Sequence, residues 1–240
     1  MRPCSLSRRL VAEGVGTALL LAAVVGSGIM GERLSGGNVA IALLANTVAT
    51  GAALVALIFT FGPISGAHFN PAVSFADASQ GGLSWREATW YTGVQVVGAI
   101  AGSGAADLMF DLPMYSWSTH IRSGGGQAFS ETIATFGLLA VIWGCSGRRS
   151  AAVPFAVGAY ITSAYWFTAS TSFANPAVTI ARAFTNTFAG IRLADVPPFL
   201  VAQAIGAASA TILFRWLVPS LRDTADVVVM PPAVSQGSDG

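Results

Sequence analysis

Long apolar runs alternate with short polar breaks along most of this chain. A helix of about 20 predominantly apolar residues is long enough to cross a bilayer. On this pattern we predict spanning helices near residues 8–30, 38–61, 86–110, 127–146, 151–168 and 196–218. Glycine clusters at 36–37, 81–82 and 124–126 separate several of the runs. The pattern predicts an all-α membrane protein with six transmembrane helices.

Two further segments, 63–80 and 169–190, are too short to cross a bilayer. Each has a Ser/Gly-rich approach, then the triplet Asn-Pro-Ala, then about two turns of helical pattern. Irregular backbone at membrane depth is tolerated only where it is buried in protein or lines a watery cavity. We therefore predict two re-entrant half-helices beside a pore.

The two halves of the chain resemble each other. Residues 12–17, with Glu13, match residues 130–135, with Glu131, and the segment that begins at Gln95 matches the segment that begins at Gln203. The triplets match in the same order. Because each half has an odd number of predicted spans, the second half must be inserted upside down, which makes an inverted repeat.

This repeat defines the predicted domain organisation. We expect a single channel domain over residues 1–218, with repeats at approximately 8–110 and 127–218, and a disordered cytoplasmic tail at 219–240. The predicted spans place most of the arginines on the side of the N-terminus, so the positive-inside rule predicts that both termini are cytoplasmic.

Composition narrows the function classes. Hydrophobic residues make up 53% of the chain and charged residues 10%, and the formal net charge is +1, so nothing indicates a nucleic-acid partner. Cys4 and Cys145 are far apart and in no metal-ligand spacing. The chain has no Gly-x-Ser-x-Gly elbow, and His68 has no evident nucleophile partner. We expect no metal, no cofactor, no catalytic residues and no enzyme activity.

The triplets Asn70-Pro71-Ala72 and Asn175-Pro176-Ala177 carry the pore chemistry. Proline is favourable at the first helical position, and asparagine before it is a strong N-cap. Each helix start also carries about half a positive charge. Two such starts meeting at the midplane would repel cations and orient a passing water or hydroxyl solute.

In this inverted-repeat context the sequence resembles the aquaporin, or major intrinsic protein, family from Arg8 to about Trp216. Residues 65–73 look like the family's first re-entrant loop. The resemblance implies that Glu13 and Glu131 stabilise the re-entrant loops by hydrogen bonds. It also implies a homotetramer with one pore per subunit. His68 is expected to pack in the loop or line the pore.

Family channels usually narrow at four filter positions, one of which is an arginine directly after the second triplet. Here that residue is Val178, and alignment to the family assigns Thr50, Ser163 and Ser172 to the other positions. These residues predict a widened filter with hydroxyl groups and no fixed charge. Such a filter is similar to that of bacterial aquaglyceroporin-like channels associated with arsenic resistance.

Asp77 and Arg182 each lie seven residues after a triplet asparagine, so the repeat makes them counterparts. They are candidate charges for the inner and outer vestibules. The simpler expectation, which we favour, is that both side chains extend to the nearest membrane interface.

The predicted function is a passive channel for small neutral solutes: glycerol-like polyols, arsenite or methylated arsenicals, and water. The expected setting is a lipid bilayer, on the resemblance a bacterial inner membrane. A water-selective aquaporin is the first alternative. An ion-coupled secondary transporter with inverted repeats is the second, although it usually needs a buried acid or base without a fixed partner.

Overall fold

A computed structural model of the chain describes residues 4–146 and 150–218, so the predicted tail at 219–240 lies outside the described residues. Within them the α-helices are α1 (Leu6–Leu34), α2 (Val39–Ser65), α3 (Pro71–Gln80), α4 (Trp85–Met109), α5 (Gly125–Cys145), α6 (Val153–Phe167), α7 (Pro176–Ala181) and α8 (Val196–Leu217). Six are long and two, α3 and α7, are short half-helices. This all-helical architecture confirms the predicted fold class.

Four of the helices, α1, α2, α5 and a segment that includes α8, are long and apolar enough to qualify individually as membrane spans. Helix α4 begins with an arginine and a glutamate and carries Asp107 near its end, which lowers its mean hydropathy. Helix α6 has only 15 residues. These two are recognised as spans by their place in the bundle rather than by length and composition alone.

Local sequence fixes several helix starts. The Asn38 side chain accepts hydrogen bonds from the backbone N–H groups of Ala40 and Ile41 and so caps α2. Ser84 and Glu87 form a capping box at the start of α4. The capped starts of α2 and α4 lie at the polar breaks that the hydropathy pattern predicts.

Small residues let neighbouring helices cross closely. A Cβ atom added at Gly102 of α4 would lie 2.0 Å from the carbonyl oxygen of Ala18 in α1. In the second half, a Cβ atom at Gly206 of α8 would lie 2.3 Å from the carbonyl oxygen of Thr132 in α5. Membrane helices associate through packing of this kind, since lipid offers no hydrophobic driving force between them.

The half-helices lie inside this bundle and are tied to it at their ends. At the C-terminal end of α3, the Arg215 side chain of α8 donates from Nε to Gln80 Oε1 at 2.8 Å. Beyond α7, the backbone N–H of Ile191 donates to the Arg182 carbonyl, and that of Ser118 to the Ala183 carbonyl. We call the end of the pore near these last contacts, opposite the N-terminus, the outer end.

Candidate pore and selectivity filter

Each half-helix begins at its triplet in the same way. Asn70 Oδ1 accepts from the Ala72 backbone N–H at 2.9 Å, and Asn175 Oδ1 accepts from that of Ala177 at 3.0 Å. The triplet prolines occupy the first helical turn, where a missing N–H costs little. The asparagine oxygens are therefore turned toward their own helices.

The two asparagines also bind the opposite loop. Asn70 Nδ2 donates to the Ala174 carbonyl at 2.8 Å, and Asn175 Nδ2 donates to the Phe69 carbonyl at 2.8 Å. An amide nitrogen carries two hydrogens, so each asparagine retains one donor. This reciprocal pair fixes both amides at the point where the half-helices meet.

The loops before the triplets have an unusual and symmetric backbone. Ala67 and Phe69 have φ values of 47° and 48°, and Ser172 and Ala174 have 49° and 47°. A non-glycine residue in this left-handed region costs on the order of 1–3 kcal/mol and persists only when its surroundings determine it. Strong contacts must therefore hold these loops.

Glu13 of α1 supplies those contacts in the first half. Its Oε1 accepts from the backbone N–H of His68 at 3.0 Å, and its Oε2 from that of Phe69 at 2.7 Å. Ser65 Oγ donates to Oε1 at 2.6 Å, and Gln95 Nε2 donates to Oε2 at 2.8 Å. The carboxyl group, fully buried, is thus surrounded by donors.

Glu131 of α5 repeats the arrangement in the second half. Its oxygens accept from the backbone N–H groups of Phe173 at 2.8 Å and Ala174 at 2.9 Å, and from Gln203 Nε2 at 2.6 Å. Gln203 Nε2 also donates to Thr179 Oγ1 at 2.8 Å. Sequence reasoning found both glutamines as repeat landmarks but did not assign them this contact.

The half-helices and loops enclose a cavity of about 60 Å³. Loop residues 67–70 and 172–175 form part of its lining. The long helices contribute aliphatic side chains, those of Leu20, Val24, Leu54, Ile58, Leu138, Ile142, Val157 and Ile161. The lining therefore combines polar groups of the loops with aliphatic side chains of the helices.

Three of the four predicted filter residues line this cavity: Thr50, Ser172 and Val178. The Ser172 hydroxyl is buried and has no hydrogen-bond partner among the residues that the structure describes. Val178 takes the place where the family resemblance leads one to expect an arginine. A hydroxyl donor and an apolar side chain thus occur together at the lining.

The structure does not place Ser163 in the pore, which corrects the alignment-based assignment. Its side chain is exposed, and its hydroxyl donates to the Tyr160 carbonyl at 2.7 Å. Ile161 and Tyr165 of the same helix line the cavity instead. Two residues along a helix correspond to a rotation of about 200°, so Ser163 faces away when its neighbours face inward.

Tyr165 adds a bulky side chain that the sequence analysis missed. It is buried, and its hydroxyl lies 3.4 Å from Thr50 Oγ1. The helical spacing of Val157, Ile161 and Tyr165 was the available signal, because residues four apart share one face of a helix. Tyr165 therefore makes the lining beside Thr50 narrower than the four predicted filter residues alone would make it.

The two candidate vestibule charges are both buried, so the favoured expectation that they extend to the interfaces is wrong. Asp77 is 2% exposed, and its carboxyl group lies 3.9 Å from His68 Nε2. The other ring nitrogen of His68, Nδ1, lies 3.1 Å from Ser74 Oγ. Arg182 is 2% exposed and lines the cavity together with His68. Among residues 4–146 and 150–218, no group of three or more His, Cys, Asp or Glu could hold a metal ion.

Comparison with known proteins agrees with this geometry. The model of the major intrinsic protein family matches residues 1–162 and 145–239. The chain is 54% identical over 229 residues to aquaglyceroporin AqpS of Rhizobium meliloti (strain 1021), covering 94% of this chain and 98% of that protein. It is 32% identical over 225 residues to aquaporin NIP1-3 of Oryza sativa subsp. japonica, covering 90% and 77%.

The fold is also that of a solved structure, the aquaglyceroporin from Plasmodium falciparum. The TM-score is 0.73 with 23% identity, over 90% of this chain and 99% of that one. The solved structure thus shares the fold, and the family model and the relatives show the family. The chain belongs to the major intrinsic protein family and is a membrane channel, not an enzyme.

Proposed function

We propose that this channel conducts small neutral solutes passively, with glycerol-like polyols as the principal class and water as a co-permeant. The observation that carries the proposal is the mixed lining of the cavity, in which loop residues 67–70 and 172–175 occur together with aliphatic side chains of the long helices. A polyol has the matching chemistry, because it carries both hydroxyl groups and C–H groups.

The energetic argument rests on what a solute must give up on entering. A hydroxyl group that loses water without a new hydrogen bond costs about 1–3 kcal/mol by protein mutational data. The Ser172 hydroxyl and the asparagine amides can replace that water. The aliphatic side chains let the C–H groups pass without leaving polar protein groups unpaired.

Val178 supports solutes larger than water because it is shorter than an arginine and carries no charge. Tyr165 works in the opposite direction, since it fills part of the lining beside Thr50. We infer a filter that admits a slender three-carbon polyol and excludes bulkier ones.

Arsenous acid belongs to the same solute class, because it is neutral in water near pH 7 and carries hydroxyl groups around a compact centre. We propose arsenite in this form, and methylated arsenicals, as further permeants. The similarity to a protein named aquaglyceroporin supports the polyol part of the proposal. The arsenic part rests on size, neutrality and hydroxyl chemistry.

The remaining parts of the proposal concern the setting of the channel. We propose a homotetramer in a bacterial inner membrane, with both termini cytoplasmic. The arginine distribution supports this orientation, and exposed aliphatic and aromatic side chains on the long helices supply the surface that lipid or neighbouring subunits would cover.

Stopped-flow light scattering of proteoliposomes tests the function. Water, glycerol, urea and arsenous acid are compared for the wild-type chain, Val178→Arg and empty liposomes. We expect glycerol and arsenous acid flux in the wild type and a selective loss of both, with water retained, in Val178→Arg.

Two results would overturn the proposal. Exclusion of all three larger solutes while water passes would show a water-selective aquaporin. Flux that saturates at low solute concentration or requires a proton gradient would show a coupled transporter instead of a channel.

A further inference from the structure

Arg182 differs from the half-buried Arg122 at the outer end in how its guanidinium is used. Arg122 donates from Nε to the Gly190 carbonyl at 2.8 Å and from Nη2 to the Phe188 carbonyl at 3.3 Å. Arg182 donates from Nε to the Ala189 carbonyl, and no group within the described part of the chain accepts from its Nη1. The guanidinium of Arg122 is thus occupied by the structure, whereas Arg182 has donor capacity left.

The position of Arg182 is also fixed independently of its hydrogen bonds. Its Cζ lies 3.5 Å from the centroid of the Phe173 ring, which stacks the guanidinium on the aromatic face. Phe173 is itself held, because its backbone N–H donates to Glu131 and its ring packs on Phe199 with centroids 5.2 Å apart. The guanidinium therefore sits on a rigid support at the cavity wall.

No side-chain carboxylate in the described ranges forms an ion pair with Arg182 or Arg122. Both guanidinium carbons lie within 5.1 Å of the Phe173 centroid. The buried Glu131 carboxyl group acts electrostatically on both guanidinium groups, but it already accepts from two loop N–H groups and a glutamine, so it offsets the positive charge at the outer end of the cavity only in part. In a region of low dielectric, such charge acts strongly on an entering ion.

Val178 precedes Arg182 by four residues, about one helical turn, and both line the same cavity. We propose that Arg182 is the filter guanidinium of this channel, displaced one turn outward from position 178. There it donates hydrogen bonds to the acceptor oxygens of an entering polyol and repels cations. Val178 leaves the next level of the pore apolar.

This inference rests on the proposed conduction of neutral solutes for its hydrogen-bonding role, but not for its role as a cation barrier. An arginine at position 178 would both repel cations and limit the size of the solute. In this channel those two tasks belong to two different residues. Charge discrimination occurs at Arg182, and the short apolar side chain of Val178, one turn further in, limits the size of the solute. A neutral solute would meet the donor before it meets the constriction.

Arg182→Gln, Arg182→Lys and the matched control Arg33→Gln test the proposal. Arg33 is an exposed arginine on the same side of the protein, so its loss changes the net charge by the same amount without touching the cavity. The measurements are glycerol flux, water flux and K⁺ leak in proteoliposomes, with size-exclusion profiles to verify folding.

We expect glycerol flux in Arg182→Gln to fall about tenfold, the effect of losing one hydrogen bond to a charged donor. K⁺ leak should rise in the same variant while water flux persists. Arg182→Lys keeps the charge but loses the planar fork, so it should block K⁺ and still conduct glycerol poorly. If Arg182→Gln does not fold, Arg182→Lys still tests whether the planar guanidinium is required. Arg33→Gln should match the wild type.

Wild-type glycerol flux and K⁺ exclusion in a folded Arg182→Gln would overturn the Arg182 proposal and leave the proposed function intact. Absence of any neutral-solute flux in the wild type would instead overturn the proposed function. In that case K⁺ leak in Arg182→Gln alone decides whether Arg182 is the cation barrier. In Arg182→Lys, glycerol flux equal to the wild type would refute the requirement for a planar guanidinium at this position.

Discussion

Replacement of Glu131 by glutamine removes one carboxyl oxygen from a site where both oxygens accept backbone hydrogen bonds. Oε1 accepts from Phe173 and Oε2 from Ala174, at 2.8 and 2.9 Å. A glutamine amide offers one acceptor oxygen and one NH₂ group. Either orientation therefore leaves at least one buried backbone N–H facing another donor.

A buried donor without a partner costs about 1–3 kcal/mol. The cost falls on a loop that already holds Ser172 and Ala174 at positive φ, so it is not relieved by an easy backbone shift. For a chain of this size, each kcal/mol lowers the unfolding midpoint by about 2–4 °C. We expect Glu131→Gln to lower the apparent midpoint in detergent by at least about 2 °C and to reduce glycerol flux.

Glu13→Gln should behave in the same way, because Glu13 makes the equivalent contacts to His68 and Phe69. Glu32→Gln is the matched control, since Glu32 is exposed on the same helix as Glu13. Thermal unfolding is followed at one fixed scan rate, because such midpoints depend on the rate. A midpoint for Glu131→Gln equal to that of Glu32→Gln would refute the reasoning. If Glu131→Gln had normal stability but removed a pH dependence of solute flux, Glu131 would be a proton carrier instead.

Three further predictions concern helix packing, the filter and the midplane. Gly102→Ala should destabilise the protein by about 1–3 kcal/mol in denaturant titration, because the added Cβ atom would overlap a facing carbonyl. Gly93→Ala on the same helix is the control and should be neutral, because a Cβ atom there has open space. Tyr165→Ala should raise the flux of erythritol in proteoliposomes, because Tyr165 lines the cavity. Ser163→Ala should leave every solute flux unchanged, since Ser163 faces away from the cavity. An equal rise in erythritol flux in both variants would place Ser163 back in the filter. Asn175→Asp should increase K⁺ leak, because it replaces an amide donor by a carboxylate at the cavity; an ion-tight variant would contradict this.

Much of the fold could be predicted because membrane insertion makes local sequence unusually informative. Every spanning segment must satisfy its backbone internally, so apolar length alone predicts most of the long helices. The two Asn-Pro-Ala triplets in short segments then predict the half-helices, since asparagine caps and proline at the first turn act locally. The repeat landmarks at Glu13 and Glu131 follow from sequence self-similarity.

The filter shows where sequence alone was insufficient. Which face of α6 turns inward depends on how the helix packs, and an alignment shifted by two residues selects Ser163 instead of Tyr165. The burial of Arg182 depends on the Phe173 ring, which lies nine residues earlier in the chain and reaches it only through the fold of the loop.

The sequence by itself determined the helices, the half-helix starts and the family, because these follow from hydropathy, capping and recurrence along the chain. Only the tertiary structure decided which side chains form the pore wall and where its positive charge lies. Those properties depend on the rotation of helices and the stacking of side chains from different segments. The buried guanidinium of Arg182, four residues beyond Val178, is the example, because its stacking on Phe173 could not be read from the spacing in the sequence.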